Sequence, residues 1–309
     1  MLREAPLTRH VAIVGTTASG KSALALALAR TDPSIELVSI DSMQVYRGMD
    51  IGTAKPTRAE QAEVRHHLID LADPDDDYSV ARFQAAFRDV MADIDARAAR
   101  AVLVGGTALY LRAVVDDLTM PGQFPEARAA FEAEPDTAAL HARLVELDPA
   151  AAARMEPSNR RRIVRALEVT VGSGRPFSSY GPGLDAHPPT PFTLVGIELP
   201  VAVVAARIEA RYAEQLERGF LDEVRSLAAR PGGLCRTARQ ALGYRELLRH
   251  VEAGEPLAAC VDEAIVRTRQ MAARQRRWFR RDPRIEWLAA ATDPLEAMSS
   301  LIAVATRQT

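Results

Sequence analysis

The chain has 309 residues, enough for about two domains at roughly 150 residues each. Hydrophobic residues make up 48% and charged residues 26% of it, a balance that excludes a disordered or fibrous protein and allows a real core. Its formal net charge of −2 sets up no global basic field, no apolar run approaches the ~20 residues of a membrane helix, and Cys235 and Cys260 lack the spacing of a zinc module or a disulfide framework.

The first apolar run, Val11 to Val14, is too short for a signal peptide and leads into Gly-Thr-Thr-Ala-Ser-Gly-Lys-Ser, residues 15–22. Gly15, Gly20, Lys21 and Ser22 fit G-x-x-x-x-G-K-[ST], the P-loop pattern, in its proper context of strand before and helix after. Glycines let the backbone wrap an anion, and loop amides with the helix N-terminus point positive dipole at it. Lys21 would add a full charge, and Ser22 could hold Mg²⁺. Lys21 stands out because Lys55 is the only other lysine among 39 basic residues. Nothing in the loop reads adenine, so the P-loop predicts a nucleotide- or ATP-binding type of cradle without making the chain an ATPase.

Ile35 to Ile40 reads as a second buried strand ending at Asp41, and residues 43–77 as loop. From a Ser79 N-cap, apolar residues keep a helical period to about Arg100, and Ala101 to Gly105 is a third strand. Strands alternating with helices predict an α/β fold: a doubly wound parallel sheet with helices on both faces. Ligands of such sheets sit outside the carboxyl ends of the strands, which puts the P-loop, Asp41 and Thr107 on one rim. Residues 117–190 carry two helical patterns, about 137–147 and 158–172, and read as a helical insertion into one core of 1–116 and 191–309. Phe192 to Leu199 returns to the sheet, and the rest is mostly helical, over 201–218, 220–229, 238–253 and 257–281.

Asp41, at a strand end beside the P-loop, reads either as a catalytic carboxylate or as a turn aspartate. Its neighbours Ser42, Met43 and Gln44 include side chains able to read a base edge. Gly105-Gly106-Thr107 is either a tight turn that admits substrate or a helix N-cap. His66-His67 reads as structural, because adjacent histidines rarely point at one ion. Two basic stretches, Arg160–Arg165 and Arg274–Arg281 around Trp278-Phe279, are open to RNA contact or to plain solvation.

With these pieces placed, the chain resembles the tRNA dimethylallyltransferase (isopentenyltransferase) family over nearly its whole length. The resemblance rests on residues 15–22, on Asp-Ser-Met-Gln-Val-Tyr-Arg-Gly-Met-Asp-Ile-Gly-Thr-Ala-Lys-Pro at 41–56, and on 66–70, 104–110, 159–169, 219–225, 243–246 and 274–281. Thr16 and Ser22 stand where members often have proline and threonine. The resemblance implies transfer of a dimethylallyl group from dimethylallyl diphosphate to N6 of the adenosine 3′ of the anticodon in tRNA. It implies Asp41, Thr107 and Lys21 as catalytic residues, and Gly15, Thr16, Thr17, Ala18, Ser19, Gly20, Lys21, Ser22 and Arg225 as diphosphate ligands, with Mg²⁺ on Ser22. Asp41, Ser42, Met43, Gln44, Thr107 and Arg161, Arg162, Ile163, Val164 and Arg165 match RNA-contacting stretches, the insertion acting as a tRNA clamp. A cytoplasmic monomer with no membrane partner is the expectation. A P-loop small-molecule or nucleotide kinase is the alternative, disfavoured by length and by the absence of an arginine-rich lid.

Overall fold

The computed structural model describes residues 10–181 and 183–307. In chain order β1 (Val11–Gly15), α1 (Lys21–Ala29), β2 (Ile35–Ser39), α2 (Arg58–Glu63), β3 (His66–His67), α3 (Val80–Ala96), β4 (Arg100–Gly105) and α4 (Ala108–Val115) come first. Four helices follow: α5 (Pro125–Ala133), α6 (Thr137–Leu147), α7 (Pro149–Ala152) and α8 (Arg160–Ser173). The chain then forms β5 (Thr193–Glu198), α9 (Val201–Glu217), α10 (Phe220–Ala228), α11 (Arg236–Arg239), α12 (Tyr244–Ala253), α13 (Leu257–Phe279), β6 (Glu286–Ala289) and α14 (Met298–Ala305). It divides into two compact units, Met1–Asp116 with Pro189–Thr309, and Asp117–Pro188.

The six strands form one sheet, ordered β3-β2-β4-β1-β5-β6, and every neighbouring pair is parallel. β1 lies inside it, with Val11 opposite Val102 on one side and Thr193 on the other. A strand buried on both faces needs apolar residues at every position, which Val-Ala-Ile-Val supplies. Successive side chains point to opposite faces. Val11 and Ile13 pack with Leu24 and Leu28 of α1 and Leu301 of α14. Ala12 and Val14 belong to the other layer, with Phe83 and Phe87 of α3, Tyr110 of α4 and Phe279 of α13. Helices therefore cover both faces, as the α/β alternation predicts.

The structure adds elements that the sequence pattern hid. Within 43–77 lie α2, closed by a Thr57–Glu60 capping box, and the two-residue edge strand β3. β3 and the four-residue β6 are too short to show a period, and each pairs with one neighbour at a sheet edge. The helix expected over 238–253 is two helices, broken where Gly243 takes φ 85°.

Among its described residues the second unit holds four α-helices and a 3-10 turn at Phe177–Tyr180, where two helices were expected. Its core gathers Leu140, Leu144, Ile163, Val164 and Leu167, all buried. Glu168, about 1% exposed, accepts the Phe124 N–H and an Arg165 guanidinium hydrogen, tying α8 to the start of α5.

Candidate functional site

β1 ends at Gly15, and the chain turns through Thr16–Gly20 into α1. Gly20 caps the helix in the left-handed region, φ 82°, with no side chain bonded to the first amides. A Cβ there would be strained and would also sit 2.2 Å from Cγ of Pro294. The uncapped amides make the helix N-terminus an anion site. Gly105, at the end of β4, is required by close approach, since its Cβ would meet the Ile40 carbonyl oxygen at 2.0 Å.

The rim of the sheet opens into a cavity of about 510 Å³. Thr17, Ala18, Gly20, Lys21 and Ser22 form one wall, Asp41 and Gln44 another, while Leu26, Leu37, Val38 and Val104 give apolar lining. Lys21 Nζ donates to the Thr16 carbonyl at 3.1 Å. Burial lowers the Lys21 ammonium to about 8, partly offset by the Asp41 carboxylate and reinforced by the Arg211 guanidinium. Arg211, on α9, lines the same cavity and donates from Nη1 to Thr17 Oγ1 at 2.9 Å. Its own pKa is also lowered by burial, with Tyr212 and Asp41 acting the other way. Two desolvated cations flanking a helix N-terminus make a site prepared for an anion of more than one charge.

Asp41 sits in a side-chain turn: Oδ1 accepts the Met43 N–H at 2.8 Å and lies 3.4 Å from the Gln44 nitrogen. The turn reading and the cavity position are thus both true of this residue. Oδ2 has no hydrogen bond among the described residues. Ser42 donates its N–H to Thr107 Oγ1 at 3.2 Å, with the two hydroxyl oxygens 3.4 Å apart. Thr107 precedes α4 but makes no side-chain cap bond, so its hydroxyl joins the ends of β2 and β4 instead. Gln44 is consumed within the protein: Oε1 accepts from Ser39 Oγ, and Nε2 donates to the carbonyls of Thr53 and Ala54. Its side chain, expected to read RNA, holds the 41–56 loop. Met43 packs against the core.

That loop is held by residues absent from the sequence-based set. Glu223 on α10 accepts the backbone N–H groups of Asp50, Ile51 and Gly52, and the Tyr244 hydroxyl. Buried Lys55 donates to the Tyr46 carbonyl and to Asp50 and Asp70, each carboxylate at 2.6 Å. His67 Nε2 lies 2.6 Å from Glu36 and serves the fold, while His66, whose Nδ1 lies 2.7 Å from the Val64 carbonyl, also lines the cavity.

Several expected site residues lie elsewhere. Arg225 is about half exposed, pairs with Asp222 at 2.8 Å and does not line the cavity; Arg211, one helix earlier, does. The signal for it was the Arg207–Arg211 spacing of four, which puts both guanidiniums on one face of α9. In the second unit Ile163 and Val164 are buried in the core, which rules out RNA contact through their side chains. Arg165 is spent on Glu168 and the carbonyls of Pro121 and Gly122. Arg161 and Arg162 are exposed, with no side-chain partner among the described residues. In the C-terminal basic stretch Phe279 is core, Arg276 and Arg280 pair with Glu198, and Arg274, Arg277 and Arg281 are exposed. Gln275, between them, was missed: Oε1 accepts the Thr17 N–H at 2.8 Å and Nε2 donates to the Gly106 carbonyl at 2.9 Å.

The family model described as IPP transferase matches residues 44–282. A tRNA dimethylallyltransferase of Kineococcus radiotolerans is 47% identical over 297 residues, covering 93% of each chain. One from Bifidobacterium adolescentis is 44% identical over 94% of this chain and 87% of the relative. Among solved structures, the full-length tRNA isopentenylpyrophosphate transferase of Bacillus halodurans superposes with a TM-score of 0.69 at 34% identity, covering 96% of both chains. A eukaryotic dimethylallyltransferase acting on tRNA gives 0.76 at 25% identity, over 96% of this chain and 77% of that one.

Proposed function

This chain belongs to the tRNA dimethylallyltransferase (IPP transferase) family, and on that footing we propose that it transfers a dimethylallyl group from dimethylallyl diphosphate to N6 of the adenosine immediately 3′ of the anticodon in tRNA. The observation that carries the reading is one cavity with a cationic end at Lys21 and Arg211, an apolar lining and a carboxylate at Asp41. Those three features match a diphosphate, a five-carbon alkenyl group and an amine.

The reaction breaks the allylic C1–O bond and forms C1–N6. The bond pair leaves with the diphosphate, where negative charge grows in the transition state. Lys21, Arg211 and the α1 amides are fixed before the reaction begins, so they stabilise that charge without reorganising. Adenine N6 is a weak nucleophile because its lone pair is delocalised into the ring. Asp41 Oδ2 takes the proton that N6 loses as the new bond forms, while the Met43 N–H on Oδ1 holds the carboxylate in place. Thr107 braces this turn through Ser42. The adenosine must be unstacked before it enters the cavity. Arg161 and Arg162, not Arg165, are the α8 side chains left for phosphate contacts.

Mg²⁺ fits as a passenger of the diphosphate. Ser22 is an exposed hydroxyl on the cavity wall, and no group of three or more His, Cys, Asp or Glu among the described residues forms a protein cage. Mg²⁺ keeps several waters and substrate oxygens, so one hydroxyl suits it. When bound, it neutralises charge on the leaving group. We also propose that the protein works as a monomer in the cytoplasm, where tRNA is. No helix among the described residues is long and apolar enough to cross a membrane.

The test is donor choice. With an anticodon stem-loop as acceptor, label from dimethylallyl diphosphate should reach the RNA, and guanosine in place of the target adenosine should abolish transfer. Label arriving from the γ-phosphate of ATP instead would establish a kinase.

A further inference from the structure

Two halves of the cavity rim meet through one side chain. The P-loop follows β1 and the Gly106–Thr107 turn follows β4, and these strands are neighbours in the sheet. Gln275, in the last two turns of α13, bonds both: its carbonyl oxygen takes the Thr17 N–H, and its amide nitrogen gives to the Gly106 carbonyl. The connection continues on each side. Thr17 is also held by Arg211 through its hydroxyl. Beyond Gly106, Thr107 accepts from Ser42, which adjoins Asp41. The anion half and the proton-accepting half are thus spanned by one planar amide whose donor and acceptor are both engaged. A Cβ on Gly106 would come within 2.6 Å of the Gln275 nitrogen, so the contact needs a glycine there.

Two features argue that this bond has a task beyond holding the helix. α13 is already anchored by buried Cys260, Ala264, Thr268, Ala272 and Phe279, none of which is hydrogen-bonded to the P-loop among the described residues. The Thr17 amide, moreover, is spent on Gln275. That choice of partner selects which loop amides remain to face the cavity.

We propose that Gln275 is a positioning residue for prenyl transfer, setting the separation between the P-loop and the Gly106–Thr107 turn so that C1 and N6 meet in line. The proposal rests on the prenyl-transfer reading above. Displacing reacting groups by about 1 Å can slow a reaction on the order of 100-fold without abolishing binding. Loss of the amide therefore acts on the chemical step more than on either substrate's affinity.

The experiment compares the parent with Gln275→Leu, which loses both bonds, and Gln275→Glu, which keeps the shape and the acceptor for Thr17 but loses the donor to Gly106. Single-turnover transfer is measured at saturating dimethylallyl diphosphate, inorganic diphosphate affinity by calorimetry, and tRNA affinity by filter binding. The expected result is a rate loss of about 10–100-fold for Leu, with both affinities within about threefold of the parent. If Leu does not fold, Glu carries the test, and its rate should fall by at least about tenfold with affinities preserved. Rates within threefold of the parent overturn the proposal, as does a rate loss fully matched by lost diphosphate or tRNA affinity. A parent that transfers no label removes the prenyl-transfer reading instead, so the two failures are separable.

Discussion

Raising the pH should disable donor capture through Lys21 well before an ordinary lysine would titrate. Burial brings this ammonium down from 10.5 to about 8, against the pull of Asp41 and with Arg211 adding to the shift. A bound diphosphate favours the charged form, so the pKa climbs on binding. Linkage then gives the sign: above pH 8 binding takes up a proton, and donor affinity falls as pH rises. At pH 9 about one-tenth of the free enzyme carries the charge, so kcat/KM for dimethylallyl diphosphate should drop about tenfold from its plateau. At saturating donor the limb in kcat should move to higher pH. The assay follows labelled donor into an anticodon stem-loop from pH 6.5 to 9.5, beside Lys21→Arg. The guanidinium does not titrate in that range, so the variant should be slower overall but lack the falling limb. A parent profile flat to pH 9.5, or a variant with the parent's limb, would refute the reasoning.

Asp41→Asn keeps one acceptor for the Met43 N–H but removes basicity, and should lower the single-turnover rate about 10²–10⁴-fold with near-parental substrate affinities. A rate within a few-fold of the parent would leave Asp41 a positioning role only. Arg161→Ala and Arg162→Ala should each reduce the salt slope of tRNA binding by about 0.7–0.9, while Arg165→Ala, which takes the nearer of two guanidiniums from buried Glu168 and leaves it Arg128 at 3.6 Å, should chiefly lower thermal stability. A salt slope unchanged by the first two would return that face to plain solvation. Glu223→Ala strands three backbone N–H groups of the 50–52 turn and should lower stability by about 1–3 kcal/mol in denaturant titration, with a larger loss of transfer as the 41–56 loop loosens. An unchanged midpoint would mean that Lys55, with the Gln215 amide that donates to the Ile51 and Gly52 carbonyls, suffices to hold the loop.

What was legible in the sequence is what is contiguous in the chain. Val11–Val14, the glycine pattern of 15–20 and the helix formers after Lys21 specify strand, anion loop and helix from neighbours alone, because burial on both faces and left-handed backbone leave local marks. The parallel sheet followed from alternation, and the 41–56 run carried the family resemblance. Tertiary structure decided the rest. Arg225 and Arg211 are both helical arginines, and only the packing of α9 against the P-loop tells the cavity residue from the solvated one. Ile163 and Val164 sit beside Arg161 and Arg162 in sequence, yet the helical turn sends the first pair into a core and leaves the second in water. Gln44 stands on the cavity wall, and only the fold shows that Ser39, Thr53 and Ala54 hold its side chain there. The structural roles of Glu223 and Gln275 carry no local sign, because the backbone groups they bind lie more than 160 residues away and a hydrogen bond at that separation exists only once the fold has closed.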